Sequence, residues 1–203
     1  SKALQNSKLP ISKLVQWDWG TTPINVESMG PSADLATVQG FTYSTIKQEY
    51  SIVFNDDGAG EVADLVCINE SKNAIEVDLY HCKYCSSNAQ PGARVADTYE
   101  VSGQASRSVK WNNNGGALFE RLLQRYQDGL AIGFDRLLKG SSRELDLLRN
   151  KCRDKRVVLR FHIVQPAIAF SKVSEEQLRV LGSSYAFIKA TTGQELRVVV
   201  SKK

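Results

Sequence analysis

The chain has 203 residues, 42% of them hydrophobic, and a net charge of +4 at neutral pH. That length and apolar content suit one domain with a sizeable core. No run of about 18 apolar residues occurs, which excludes a spanning helix, and nothing at the start reads as a secretory leader.

Residues 1–30 carry few structural signals, apart from Leu14 to Gly20, where two tryptophans two positions apart fit a short strand. Pro23 and Pro31 punctuate the chain after it, and residues 32–48 read as a helix weakened by Gly40 and a β-branched run. Ser51–Asn55 reads as a strand, and Asp56-Asp57-Gly58-Ala59-Gly60 as a turn.

Two central strands come next. Val62, Asp64, Val66 and Ile68 share one parity; Ile75, Val77, Leu79, His81 and Lys83 share another. Each set is an apolar stripe that belongs against a core. The polar segment Asn69–Asn73 joins them as a hairpin, and antiparallel pairing brings Asp64 close to His81 and Lys83. Cys67 and Cys82 have the opposite parity and fall on the far side of the sheet.

After Pro91-Gly92, residues 93–111 read as a helix with Val95, Tyr99, Ser102, Ala105 and Val109 near one face, and Tyr99 and Trp111 read as core aromatics. Leu118–Tyr126 and Arg143–Cys152 are helical. Val157–Val164 is a strand closed by Pro166, and His162 on it reads as a satisfied core histidine. Ser174-Glu175-Glu176-Gln177 is a helix start. Ala186–Ile188 and Leu196–Val200 read as small terminal strands. The order is that of an α/β (α+β) fold with a mixed central sheet flanked by helices. Residues 1–48 form an N-terminal extension of the same domain, 49–170 its core, and 171–203 a closing helix and small strands.

Between Arg136 and Arg160 nine basic residues face three acidic ones, while the rest of the chain is slightly acidic. Such a stretch, with Arg149, Lys151 and Arg153 at its centre, suits a phosphate-contacting surface; a solvated amphipathic helix is the equal alternative. Arg94, Arg107 and Lys110 are further candidates for phosphate contact. Of the four cysteines, Cys82 and Cys85 form a CxxC after His81, but no second pair completes a zinc site. A redox CxxC opens a helix, whereas this one ends a strand. The thiols therefore read as reduced, which places the chain in the cytoplasm.

An aspartate and a lysine meeting on adjacent strands suit metal-assisted phosphodiester hydrolysis. A divalent cation takes carboxylate oxygens, and a lysine orients water or stabilises developing negative charge. Asp64 and Lys83, with Gln104 in Val101-Ser102-Gly103-Gln104-Ala105, resemble the PD-(D/E)xK nuclease superfamily, the restriction-endonuclease-like fold. The longer run His81-Cys82-Lys83-Tyr84, Pro91-Gly92-Ala93-Arg94-Val95, Tyr99–Gln104 and Lys110-Trp111 is similar to nuclease-type domains attached to bacterial helicases; the likeness covers roughly residues 50–111.

The resemblance implies a metal-dependent DNA endonuclease of a bacterial or phage restriction, defence or helicase-linked system. RNA is an open alternative substrate, and a helicase domain of the same polypeptide is an implied partner. Asp64 matches the superfamily's aspartate, Lys83 its lysine and Gln104 its glutamine. His81 stands where the superfamily has an acid, and imidazole suits Mn²⁺ better than Mg²⁺. It is assigned as metal ligand or base beside Asp64. Glu61, Glu76, Asp78 and Glu49 are the alternative sources of the missing oxygen, Glu61 being favoured by its place at the turn. The site is then either a migrated variant or an inactive module that binds nucleic acid or a helicase.

Overall fold

In a computed structural model, residues 8–86, 90–92 and 94–203 are described. Ala93, within the motif above, lies outside them. Seven strands form one mixed sheet: β1 (Leu14–Trp17), β2 (Ile52–Asn55), β3 (Leu65–Glu70), β4 (Ala74–Cys82), β5 (Leu137–Lys139), β6 (Arg156–Ala169) and β7 (Leu196–Ser201). Their spatial order is β1-β7-β6-β4-β3-β2-β5. The first four in that order, β1, β7, β6 and β4, run parallel, whereas β3, β2 and β5 each pair antiparallel with the preceding neighbour. Five helices flank the sheet: α1 (Val38–Ile46), α2 (Ala96–Arg107), α3 (Gly115–Ala131), α4 (Ser142–Lys151) and α5 (Glu175–Thr192).

Strand alternation divides the core. Ile75, Val77 and Leu79 of β4 join Val66, Phe161 and Ile163 under α2–α5, which contribute Val101, Ala105, Phe119, Leu122, Leu145 and Leu181. Tyr80 and Cys82 join Leu65, Cys67 and Val53 on the other face, covered by α1 and by Trp19, Ile24 and Met29 of the segment before it. Leu9, Leu14 and Val198 share the first cluster, so both ends of the described chain pack into one core. Among the described residues, no helix is long and apolar enough to cross a membrane.

Several elements differ from the sequence reading. The weak helix of 32–48 starts only at Val38, where Thr37 caps it through the Gly40 amide. β3 begins at Leu65, so Val62 and Asp64 precede it. The helix read over 93–111 spans Ala96–Arg107 and then tightens to a 3₁₀ turn, Ser108–Trp111. Tyr99 is 58% exposed rather than core, because Val101 and Ala105 hold the buried stripe. Trp111 is half-buried against that core.

β6 does not stop at Pro166. It continues to Ala169 through a register shift after Gln165, and a proline is tolerated at such a bulge. Ala186–Ile188 are helical: the Ser174–Gln177 capping box starts α5, and it runs uninterrupted to Gly193, whose φ of 74° provides the left-handed stop. β5, a three-residue edge strand, gave no signal in the sequence.

Candidate active site

β3 and β4 pair antiparallel with Leu65 opposite Tyr80. The start of β3 therefore meets the end of β4, and Asp64 lies beside Cys82, the residue before Lys83. Asp64 is 1% exposed. Its Oδ2 accepts from the Cys82 amide at 2.8 Å and its Oδ1 from Gln39 Nε2 of α1 at 2.9 Å. Gln39 is itself fully buried and accepts from the Met29 amide at 3.0 Å through Oε1. Asp64 thus does not simply ride the Val66 face. It precedes the strand, where alternation lapses, and reaches the helix that covers the Cys67–Cys82 face.

The loop from Asp56 to Ala63 folds back on Asp64. Gly58 and Gly60, with φ of 112° and 79°, allow the tight reversal. The Gly58 amide donates to Glu61 Oε2 at 3.0 Å, and the Glu61 amide to Gly58 O at 3.1 Å. Arg125 of α3 clamps the loop from below: its guanidinium pairs with Asp56 and donates to Ala59 O at 2.9 Å. Arg136 adds bonds to Asn55 O and Asp57 O at 3.0 and 3.1 Å.

This arrangement brings one carboxylate oxygen each from Asp57, Glu61 and Asp64 within 4.8 Å of one another. Burial pushes Glu61 up to about 6, the Gly58 bond opposing and Asp57 adding to the rise. Burial, then Glu61, hold Asp64 well above the usual carboxylate range. The hydrogen bonds reaching these three acids come from neutral groups: the Gly58 and Cys82 amides, Gln39, and the Ser28 hydroxyl on Asp57.

Lys83 is 8% exposed. Its ammonium bonds Glu100 of α2 at 2.8 Å and Glu27 at 3.2 Å, and lies 4.8 Å from the Tyr84 ring centroid. Burial disfavours its charge, but the two carboxylates more than reverse this and raise its pKa. It is a fixed cation and not a proton acceptor near neutral pH. Glu27 Oε2 also accepts from the Tyr84 amide at 3.0 Å, which ties the segment before α1 to the end of β4.

Of the residues read from sequence, the fold unites Asp64 and Glu61, and Lys83 directly follows Cys82, whose amide holds Asp64, with its ammonium engaged by Glu27 and Glu100. His81 stands outside the acidic group. It is 1% exposed, with both ring nitrogens buried and lacking a hydrogen-bond partner. Burial, then Arg107 and His162, press its pKa down to about 3, so the imidazole is neutral. Gln104 lies one helical turn beyond Glu100, its Oε1 also buried and lacking a partner.

Glu76 and Asp78 are committed elsewhere, Glu76 to Arg160 at 2.7 Å and Asp78 to His162 Nε2 at 2.6 Å. His162 is stacked on Tyr80 at 4.1 Å. Glu49 lies in the turn before β2, at the opposite end of that strand from the acidic loop; its carbonyl accepts from Asn69.

The basic stretch is mostly structural. Arg136 is buried under the loop, Arg149 pairs with Asp146 at 2.7 Å, and Lys151 with Glu70 at 2.7 Å. Glu70 ends β3 whereas Asp64 precedes it, and the length of the six-residue strand sets the two about 20 Å apart. Arg149, Lys151 and the exposed Arg153 therefore lie away from the acidic cluster. Arg94, Arg107 and Lys110 are exposed before and along α2 and its 3₁₀ extension. The sequence reading missed Gln39, Glu27, Asp57 and Glu100. The Asp57-Gly58 turn was visible; the other three reach the site only through packing of α1 and α2.

No protein-family model matches the chain, no curated protein matches it, and no solved structure matches it.

Proposed function

We propose that the chain is a metal-dependent nuclease domain of the PD-(D/E)xK type that hydrolyses DNA phosphodiester bonds, in a restriction, defence or helicase-linked setting. One observation carries this reading: Asp57, Glu61 and Asp64 converge at the strand end that Lys83 follows. The donor set fits a hard divalent cation. Three carboxylates share a small volume, Asp57 adds to the rise at Glu61 and at Asp64 while Arg125 only opposes it at Glu61, and the hydrogen bonds that the described residues give their oxygens come from neutral donors, which suits the cluster to a cation.

Glu61 then takes the place of the missing acid at His81, and an all-oxygen set serves Mg²⁺ and Mn²⁺ alike. The cation supplies Lewis-acid stabilisation to a phosphate and acidifies water. Gln39 and the Cys82 amide fix the Asp64 carboxylate. Lys83 presents permanent positive charge to the phosphate, held in place by Glu27 and Glu100. Gln104 Oε1, an acceptor without a protein partner, is suited to steady a water. His81, neutral and enclosed, keeps a packing role.

The test is cleavage of circular and linear DNA with Mg²⁺, Mn²⁺ or EDTA, with Asp64→Ala and Lys83→Ala beside the wild type. Cation-dependent cleavage that falls about 100-fold or more in both folded variants is expected. Wild-type activity in both ends the assignment. Cation-independent binding without cleavage moves the chain to the second reading, an inactive module binding nucleic acid or a helicase. The double carboxylate grip on Lys83 favours that alternative, since it occupies the ammonium a phosphate would need.

A further inference from the structure

A cleft of about 380 Å³ opens at the C-terminal ends of β1 and β7. Trp17, Trp19, Lys202 and Lys203 line it. Trp19 is buried and packs on Phe41 with ring centroids 4.7 Å apart, and the partly buried Trp17 packs more loosely on both, 6.0 Å from Trp19 and 6.1 Å from Phe41, while lining the cleft. The Lys202 amide bonds Trp17 O at 2.9 Å, which holds the backbone of the two exposed lysines beside β1 at the cleft. Asp18 also lines the cleft, with its carboxylate accepting from the Gly20 amide at 3.1 Å.

The position of the cleft gives it meaning. β1, β7, β6 and β4 are mutually parallel, so the end of β1 and the end of β4 lie on one edge of the sheet. Lys83 follows β4 on that edge. The segment between is continuous: Ile24 lines the cleft and accepts from the Cys85 amide at 2.7 Å, and Glu27, three residues on, holds Lys83. Three interstrand spacings of about 4.8 Å separate β1 from β4, about 14 Å in all. An unpaired nucleic-acid strand spans that in a few nucleotides.

We infer that this cleft is a subsite for an unpaired nucleic-acid strand, with a base stacked on Trp17 and its phosphate against Lys202 and Lys203, a few nucleotides from the bond at Lys83. Aromatic faces beside lysines are the chemistry by which single strands are held, since every base has a face to stack and every step a phosphate to neutralise. A duplex has no free base face to offer Trp17. The direction of the strand rests on the nuclease reading; the cleft's own affinity does not.

The experiment is fluorescence anisotropy of a labelled short oligothymidylate with the full chain in EDTA, where no cleavage intervenes. Trp17→Leu and the double variant Lys202→Ala/Lys203→Ala are compared with wild type, with circular dichroism as the folding control. Each folded variant is expected to bind at least about fivefold more weakly. The lysine variant should also lower the slope of log affinity against log salt by about 1.4.

Wild-type affinity in either folded variant, no binding by the wild type, or equal binding of the paired duplex overturns the proposal. If Trp17→Leu fails to fold, the exposed lysines decide alone. A chain that binds in this way but never cleaves keeps the cleft and loses the nuclease. One that cleaves while the folded variants bind normally keeps the nuclease and loses the cleft.

Discussion

Gln39 donates to Asp64 from α1 at 2.9 Å and accepts from the Met29 amide at 3.0 Å, so one buried amide orients the aspartate and anchors the segment before the helix. Replacing it by Leu keeps the size and removes both bonds. The Met29 N–H and one Asp64 oxygen are then buried without partners, a loss of about 1–3 kcal/mol. Urea unfolding of Gln39→Leu should show that loss at unchanged slope, and cleavage should fall because the Asp64 carboxylate is free to rotate. Unaltered stability and rate together would mean the bond does not orient Asp64.

The acidic cluster makes a prediction about pH. Glu61 is raised from 4.5 to about 6 in the folded chain, chiefly by burial. A carboxyl raised on folding binds its proton more tightly in the native state, so its contribution to stability is greatest below pH 4.5 and is lost as pH rises through about 6. Asp64 acts in the same direction. In EDTA, the melting temperature should therefore carry a falling component across that window, and Glu61→Gln should remove part of it. Mg²⁺ needs the ionised acids, so it should raise the melting temperature well above pH 6 and have little effect below pH 4.5. An Mg²⁺ effect independent of pH would count against binding at these residues.

The hairpin that makes the site was legible because it is local. A polar segment of five residues joins two apolar stripes, and antiparallel pairing then dictates that Asp64 meets the end of β4. The supporting groups were not legible, for the opposite reason. Gln39 is 25 residues from Asp64, and Glu27 is 56 from Lys83; both arrive because Val38, Ile46 and Met29 pack on the sheet. Parity holds only within the strand: Glu61, off the Asp64 parity and named for its place at the turn, reaches Asp64 through a glycine-rich reversal ahead of β3. The basic stretch shows the limit of charge counting, since Arg136, Arg149, Lys151 and Lys155 hold the fold's own oxygens.

Arg125 is the residue on which that reversal depends. It is 7% exposed, its partner Asp56 is fully buried, and its fork also holds the backbone carbonyls of Ala59 and Asp57. Asp56 in turn accepts from the Val62 amide at 2.6 Å, which fixes the far side of the loop. Arg125→Met leaves Asp56 enclosed without its cation, and a buried pair broken on one side costs about 3–5 kcal/mol. Arg125→Lys keeps the charge but cannot span the carboxylate and the carbonyls together, so it should recover only part of the loss. Both should weaken Mg²⁺ binding, measured by titration calorimetry, because the loop they loosen carries Asp57 and Glu61. A loss near the 0–1 kcal/mol of an exposed ion pair, with Mg²⁺ affinity unchanged, would show that the loop holds its shape without the clamp.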